Sequence, residues 1–325
     1  MRKPKIALVI DVEGWAFHNI ARYLIKYQSH RFDFEIFPVA ELGGIERVAR
    51  LTQGFDLVHF FWRVHWLELL SDQSRATFNQ WNIDFDEFLA GYERGAAWTS
   101  SVYDHLFMAP EPMRPGLAEA MHRLTAYGVS SQRLWHSYVE SPEYPAPLMV
   151  LEDGVDLGLF RPKGLDRFED AGARPLVVGW VGNSGWASDV EDYKGVHTLL
   201  RPAIENLQAE GLPVDLRLAD RQLAVIAHSQ MPDFYAGIDI YVCASKIEGT
   251  PNPVLEAMAC GVPVISTNVG VVPEVFGTLQ REFLLTERTV SAIEAKLRRL
   301  LGERSLLKRL SQENLQSITG WDWAN

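Results

Sequence analysis

Residues 248–275 read EGTPNPVLEAMACGVPVISTNVGVVPEV, with two glutamates, Glu248 and Glu256, on either side of a loop that turns into a short helix. Asn252 is a good N-cap and Pro253 suits the first helical position; Val254 to Cys260 supply helix formers, and Gly261 ends the run. Such a helix start points free backbone N–H groups at whatever lies above the loop. Together with the positive end of the helix dipole they make an anion site that suits a diphosphate. Glu256, read here in the first turn, accepts hydrogen bonds with both oxygens and so suits the two hydroxyls of a ribose, while Glu248 suits a second polyol. A plainer role for one first-turn glutamate is to complement the dipole. A capping box, however, wants its Glu three residues after the cap, and Glu256 comes four after Asn252. That role also leaves Glu248 and the compact GTPNP loop unexplained, so the stretch reads as a site for a phosphorylated, hydroxyl-rich ligand.

The Glu-x7-Glu spacing, the AMACGVPVIS that follows and the later VGVVPEV closely resemble the donor-sugar site of retaining, family-four-type glycosyltransferases (glycosyl transferases group 1). The block is far more specific than a lone glycine motif. The resemblance implies an α/β chain of GT-B architecture, two Rossmann-like doubly wound parallel-sheet domains facing across a cleft. It sets the acceptor-side domain at 1–152, a hinge at 153–164 and the donor domain at 165–325. The hinge falls in MVLEDGVDLGLFRP, where Gly and Pro accumulate and where relatives read NGVD, here with Asp153 for Asn.

Length and composition agree. At 325 residues and 47% hydrophobic the chain is long for one domain and has ample apolar content for two cores. No segment reaches the apolar length of a membrane span, and MRKPKIALVIDVEGW reads as a buried first strand rather than a signal peptide. Cys243 and Cys260 lie in apolar segments and read as buried thiols in a reducing compartment, with a disulfide as the alternative. The net charge of −11 argues against a nucleic-acid partner. The half up to residue 150 carries −4 and the remainder −7, so neither is a basic membrane module. A local patch touching a lipid surface stays open. The expected setting is the cytoplasm or the inner face of a membrane.

Along the first half, KIALVID (5–11), FEIFPV and FDLVHFF (55–61) read as strands, the first followed by a turn at Gly14 and the helix-like AFHNIARYLIKYQ. Between Ser71 and Arg94, Phe78, Trp81, Phe85, Phe88 and Tyr92 recur every three or four residues, the stripe of an amphipathic helix packed on the sheet. Asp84 and Asp86 in that segment do not face one another on a helix and read as a solvated face, not a metal site. In the second half PLVVGWVGNSGW (175–186), VDLRLAD, MPDFYAGIDIYVCAS and the glutamate block alternate strands and helices, as a parallel sheet requires. Residues 288–317 read as amphipathic helix.

The resemblance implies roles residue by residue. Glu248, Lys194 and Asp104 are the catalytic candidates. Lys194, in DYKGVHTLL, lies at the family's Lys-Gly and would partner the leaving phosphate; its plainer role is a solvated loop lysine. The donor is expected against Glu256, Gly249, Thr250, Pro251, Asn252, Pro253 and Val254, with Asn183, Ser184, Gly14, His228 and Met231, the last two near the base. Val269 to Val272 are expected to approach the sugar through backbone groups, and Glu274 is the helix-start acid, as well explained by capping. Where relatives carry an arginine in a VGR-type turn this chain has Asn183, and Arg63, Arg161 and Arg201 are alternatives for the missing charge. Tyr103 takes the place of the family's histidine, Asp104 matches the acid after it, and His105 is one position off. Trp15, His18, Tyr103 and His105 are acceptor-side candidates, and His59 a hydrogen-bonded structural residue.

The donor is thus a nucleotide diphosphate sugar of unknown base, with no cofactor and no metal. The acceptor is a glycan or lipid-linked hydroxyl. Two rivals remain open. One is a non-catalytic GT-B-like binding or chaperone subunit, favoured by Asn183 and Tyr103; the other is a nucleotide-sugar epimerase, or a phosphorylase, of the same fold.

Overall fold

The computed structural model describes residues 2–106, 108, 114–169, 174–186, 188 and 190–325. The chain divides between Glu152 and Asp153 into two compact units, each built on one parallel sheet.

The first unit holds β1 (Lys5–Ile10), β2 (Asp33–Pro38), β3 (Leu57–Phe60), β4 (Ala97–Val102), β5 (Ala126–Val129) and β6 (Met149–Val150), in the order β2-β1-β3-β4-β5-β6. Every pairing is parallel. The order reverses between β1 and β3, so the crevice at their carboxyl ends is where a doubly wound sheet accepts ligands. β1 is fully buried over its last four residues, as its apolar run requires.

The aromatic stripe packs as its spacing predicts: Phe78, Phe85, Phe88 and Tyr92 join Phe60, Trp66 and Trp98 in one core. It is two helices rather than one, Asp72–Gln80 and Phe85–Gly95. Asn82 breaks the run with a left-handed φ of 56°. Both aspartates are exposed, as a solvated face requires, and each has a local partner. Asp84 caps the second helix by accepting from Glu87 N–H, and Asp86 pairs with Arg75 at 2.6 Å.

The second unit holds β7 (Leu176–Gly182), β8 (Val214–Asp220), β9 (Ile240–Cys243), β10 (Val264–Thr267) and β11 (Leu284–Leu285), ordered β11-β10-β9-β7-β8 and all parallel. Alternate residues face two separate cores. Ile240 and Val242 join one with Val178 and Trp180, while Tyr241 and Cys243 join the other with Val254, Leu255 and Met258. A sheet apolar on both faces needs cover on both. Residues 290–317 form two helices, Val290–Gly302 and Ser305–Ser317, whose leucines complete the first of these cores.

The segment 153–164, expected as a hinge, is part of this second unit. Val155 and Phe160 are buried, and Val155 N–H donates to Trp321 O at 2.8 Å, tying the segment to the chain's last residues. Cys243 and Cys260 are buried free thiols, and burial pushes the Cys260 thiol up to about 12. Among the described residues no helix is long and apolar enough to cross a membrane.

Candidate active site

In the second unit the strand order reverses between β7 and β9; Asn183, Ser184 and the glutamate block follow those two strands, while His228 and Met231 follow β8 and Gly14 lies in the first unit. Asn183 and Ser184 come directly after β7. After β9 the chain runs through Ala244, Ser245 and Lys246 to Glu248. This second loop is pinned at three carbonyls: Arg288 Nε donates to Ala244 O at 2.9 Å, Thr267 Oγ1 to Ser245 O at 2.6 Å, and Val271 N–H to Gly249 O at 3.0 Å. Val271 therefore turns its N–H toward the protein rather than toward a sugar.

Two glycines allow the approach. A Cβ on Gly195, whose φ is +68°, would sit 2.5 Å from Ala244 O; one on Gly270, whose φ is +46°, would sit 1.7 Å from Gly249 O. Both positions need φ > 0 and the absence of a side chain. The Lys-Gly pair follows from the first of these, because Gly195 lets the Lys194 turn lie against the end of β9. Asp192 fixes the same turn by accepting from His197 and Thr198 N–H at 2.8 and 2.9 Å, which begins the helix after Gly195. Burial opposes the Asp192 carboxylate, but these hydrogen bonds outweigh it and hold its pKa below the ordinary 3.8.

The result is one ion pair. Lys194 Nζ donates to Glu248 Oε1 at 2.6 Å, with the side chains 23% and 18% exposed, and the ammonium lies 5.1 Å from the Trp186 ring centroid. The fold thus joins two of the three residues expected to be catalytic. At this exposure the pair is screened less than a surface bridge and keeps enough solvent access to meet a ligand.

The glutamate block differs from its expected detail. The helix runs Asn252–Ala259, its N-cap is Pro251 without a side-chain hydrogen bond, and Asn252 is its first residue rather than its cap. Glu256 accordingly lies past the first turn. Pro251 and Pro253 carry no N–H, and Val254 N–H donates to Pro251 O at 2.8 Å, so the helix start offers fewer donors than the run of residues suggests. Thr250 is buried, and its Oγ1 accepts from Asp153 N–H at 3.4 Å.

Glu256 is 9% exposed and held at both oxygens: Tyr235 OH donates to Oε2 at 2.7 Å, and His228 Nε2 lies 3.2 Å from Oε1. His228 precedes the helix Met231–Ala236, which carries Tyr235 on its buried face, and Met231 is buried with it. Tyr235 is the functional candidate that the sequence reading missed. It looks like one more core aromatic, and the signal available was only its place in the helix after His228.

The β7 turn is committed within the protein. Ser184 N–H donates to Asp220 Oδ1 at 3.1 Å, and the Asn183 amide oxygen accepts from Gln222 Nε2 at 2.7 Å and Gly185 N–H at 3.1 Å. Burial raises the Asp220 pKa, but hydrogen bonds from Ser184 and Gln222 more than offset this and keep it below 3.8. The segment between Gly185 and Lys194 includes residues 187 and 189, outside the described residues. Glu274 is exposed in the first turn of the short helix Val272–Val275, where an acid complements the dipole.

The first-unit candidates gather at the carboxyl ends of β1, β3 and β4. Gly14, with φ +74°, donates its N–H to His18 Nδ1 at 2.7 Å, so its amide is engaged and Nε2 carries the histidine's proton. Trp15 is the N-cap residue of the helix Ala16–Gln28. The Tyr103 ring lies 5.2 Å from Phe17, just beyond β4, and since β4 ends at Val102 the strand alternation does not extend to His105. Asp104 pairs with Arg63 at 2.6 Å and accepts from Leu106 N–H at 2.9 Å. Arg63 is 1% exposed, so the expected catalytic acid is the counter-ion of a buried guanidinium, and that guanidinium is not available to replace an arginine at Asn183. His59 lies within β3, bonded to Thr99 and Ser101, and burial lowers its pKa to about 4. Arg161 is exposed, and Arg201 lines a shallow groove with Glu205 and Asp215 rather than the loops around Lys194.

Two parallel-sheet α/β units give this chain a GT-B fold, and residues 215–316 match the model of the glycosyl transferases group 1 family. Among curated proteins the chain is 30% identical to O-antigen chain mannosyltransferase B of Escherichia coli over 151 residues, 46% of this chain and 34% of that protein. It is 47% identical to the lipopolysaccharide core biosynthesis mannosyltransferase LpsB of Rhizobium meliloti over 57 residues, 18% and 16% of the two. The matches thus span about a third or less of these relatives' lengths. Among solved structures the fold is similar to that of Anabaena HepE in complex with UDP-glucose, with a TM-score of 0.66, 15% identity, and coverage of 98% of this chain and 96% of that one.

Proposed function

We propose that this chain is a retaining, metal-independent glycosyltransferase that moves a hexose from a nucleotide diphosphate sugar to an acceptor hydroxyl in glycan, glycolipid or polysaccharide assembly. The observation that carries the reading is the Lys194–Glu248 ion pair at the switch point of the second sheet, on the same loop-helix block as the buried Glu256. The relatives' names support a sugar-transfer role, and the UDP-glucose bound to HepE supports a nucleotide-sugar donor. In this reading Glu256 holds the ribose, Glu248 orients a sugar hydroxyl, and Lys194 stabilises the departing diphosphate. The acceptor oxygen bonds to the anomeric carbon as the bond to the phosphate oxygen breaks, and that phosphate oxygen takes the acceptor's proton. Transition-state stabilisation then comes from charge and placement. Trp15, His18, Tyr103 and His105 are the proposed acceptor-side residues. The proposed setting is cytoplasmic, supported by the two buried free thiols.

Incubating the full chain with a panel of nucleotide diphosphate sugars and acceptor glycans, in chelator, tests this. Transfer with the anomeric configuration kept, lost in Glu248→Ala and Glu256→Ala, is the expected result; inversion, a metal requirement or undiminished variants would overturn it. One observation favours a second reading, a non-catalytic binding subunit. Asn183 is neutral, and its amide oxygen is taken up by Gln222 and Gly185. Nucleotide binding without transfer to any acceptor would mark that case.

A further inference from the structure

Glu256 has two carboxylate oxygens and about four acceptor positions, and the fold fills one on each oxygen. Tyr235 OH occupies Oε2 at 2.7 Å, with Pro253 O a weaker alternative acceptor at 3.3 Å, and His228 Nε2 stands 3.2 Å from Oε1. The phenol is rigidly placed. Tyr235 is fully buried, Phe160 packs edge-on against it at 6.1 Å between centroids, and the same Phe160 ring meets His228 at 5.2 Å. Burial keeps the phenol protonated, its pKa raised well above 10, so it acts as a donor at any working pH. Tyr235 and His228 approach different oxygens and therefore fix the plane of the carboxylate as well as its position. A carboxylate held in this way has one remaining acceptor position on each oxygen, a spacing that matches two vicinal hydroxyls.

We propose that Tyr235 is a positioning residue which, with His228, orients Glu256 so that this site selects nucleoside diphosphates carrying an intact 2′,3′-diol. The inference rests on the donor reading above and deepens it: the diol is recognised by a three-residue clamp, of which only Glu256 and His228 are legible in the sequence. A buried phenol that merely filled the core would contribute equally whatever ligand bound.

The experiment compares wild type with Tyr235→Phe by calorimetry, using UDP, GDP and ADP, then the 2′,3′-dideoxy form of whichever binds. Inorganic pyrophosphate serves as the base-free control. Freeing the carboxylate to turn is expected to cost about one hydrogen bond between this charged group and the diol, a weakening of about tenfold or somewhat more. The expected result is that loss for the ribonucleotide with little change for its dideoxy form and for pyrophosphate. Equal loss on both nucleotides, or loss on neither, would overturn the proposal. Should Tyr235→Phe fail to fold in a thermal melt, His228→Ala, at the half-exposed arm of the clamp, is expected to lower the ribo-to-dideoxy ratio in the same direction, and an unchanged ratio there overturns it too. A failure of the underlying donor reading shows elsewhere, in wild type that binds none of the three diphosphates, which overturns both.

Discussion

Lys194 Nζ lies 2.6 Å from Glu248 Oε1, although 54 residues separate them in the chain. The two charges compensate each other in a site that is about one fifth exposed, so removing either leaves the other in a poorly solvated place. Lys194→Ala and Glu248→Ala are each expected to cost about 1–3 kcal/mol in stability, less than a fully buried pair would. The double variant should cost less than their sum. Thermal melts of the three variants read this coupling, and strict additivity would count against a functional ion pair. Transfer should fall at least about a hundredfold in each single variant, since each removes charge stabilisation rather than general binding.

Asp104 should behave as a structural residue. Burial alone would lower the Arg63 pKa, but the Asp104 charge and hydrogen bond, together with Tyr138 and Tyr144, outweigh it and raise the pKa. Asp104→Ala strands a guanidinium that is 1% exposed, with an expected loss of about 3–5 kcal/mol. The companion Arg63→Met with Asp104→Ala should recover much of it. If Asp104→Ala kept its melting temperature and lost only kcat, the acid would be working in the chemistry instead.

Gly270→Ala is the sharpest backbone test. The new Cβ would have to share space with the Gly249 carbonyl at a φ of +46°, and no rotamer relieves a clash with backbone. A loss of at least about 3 kcal/mol is expected, with the Glu248 loop displaced before the rest of the unit melts. Hydrogen exchange at residues 246–252 would show that order of events.

His59 and His65 set a pH dependence. Burial lowers both pKa values from the ordinary 6.5 to about 4. The unfolded chain takes up protons near 6.5 while the folded chain refuses them until about 4, so stability is full above 6.5 and declines as pH falls through that window. Each contributes a slope of up to about 1.4 kcal/mol per pH unit. His59→Asn, placed between Thr99 and Ser101, should flatten the decline between pH 6.5 and 4 by about half. An unchanged slope would show that His59 is already protonated in the fold.

Much of this protein could be read from local pattern. Apolar runs such as KIALVID announce strands buried on both faces, and the aromatic spacing of 78–92 announces a helix packed on a sheet, because periodicity records which face meets the core. The glutamate block was equally legible, since a Glu-x7-Glu loop leading into a helix is a long and specific pattern. What failed locally did so for local reasons: Asn82 broke one expected helix into two, and the helix after Gly249 began one residue earlier than its capping residues suggested.

The pairings were decided only by the tertiary structure. Nothing in the spacing says that Lys194 reaches Glu248, that Asp104 is bound to a buried Arg63, or that Tyr235 turns its hydroxyl onto Glu256. The first two contacts join residues carried to adjacent strand ends by separate crossovers, and the third joins two helices packed into one core of the second sheet. A side chain's period fixes whether it faces the core or solvent, while the partner that meets it there depends on which strand lies next in the sheet.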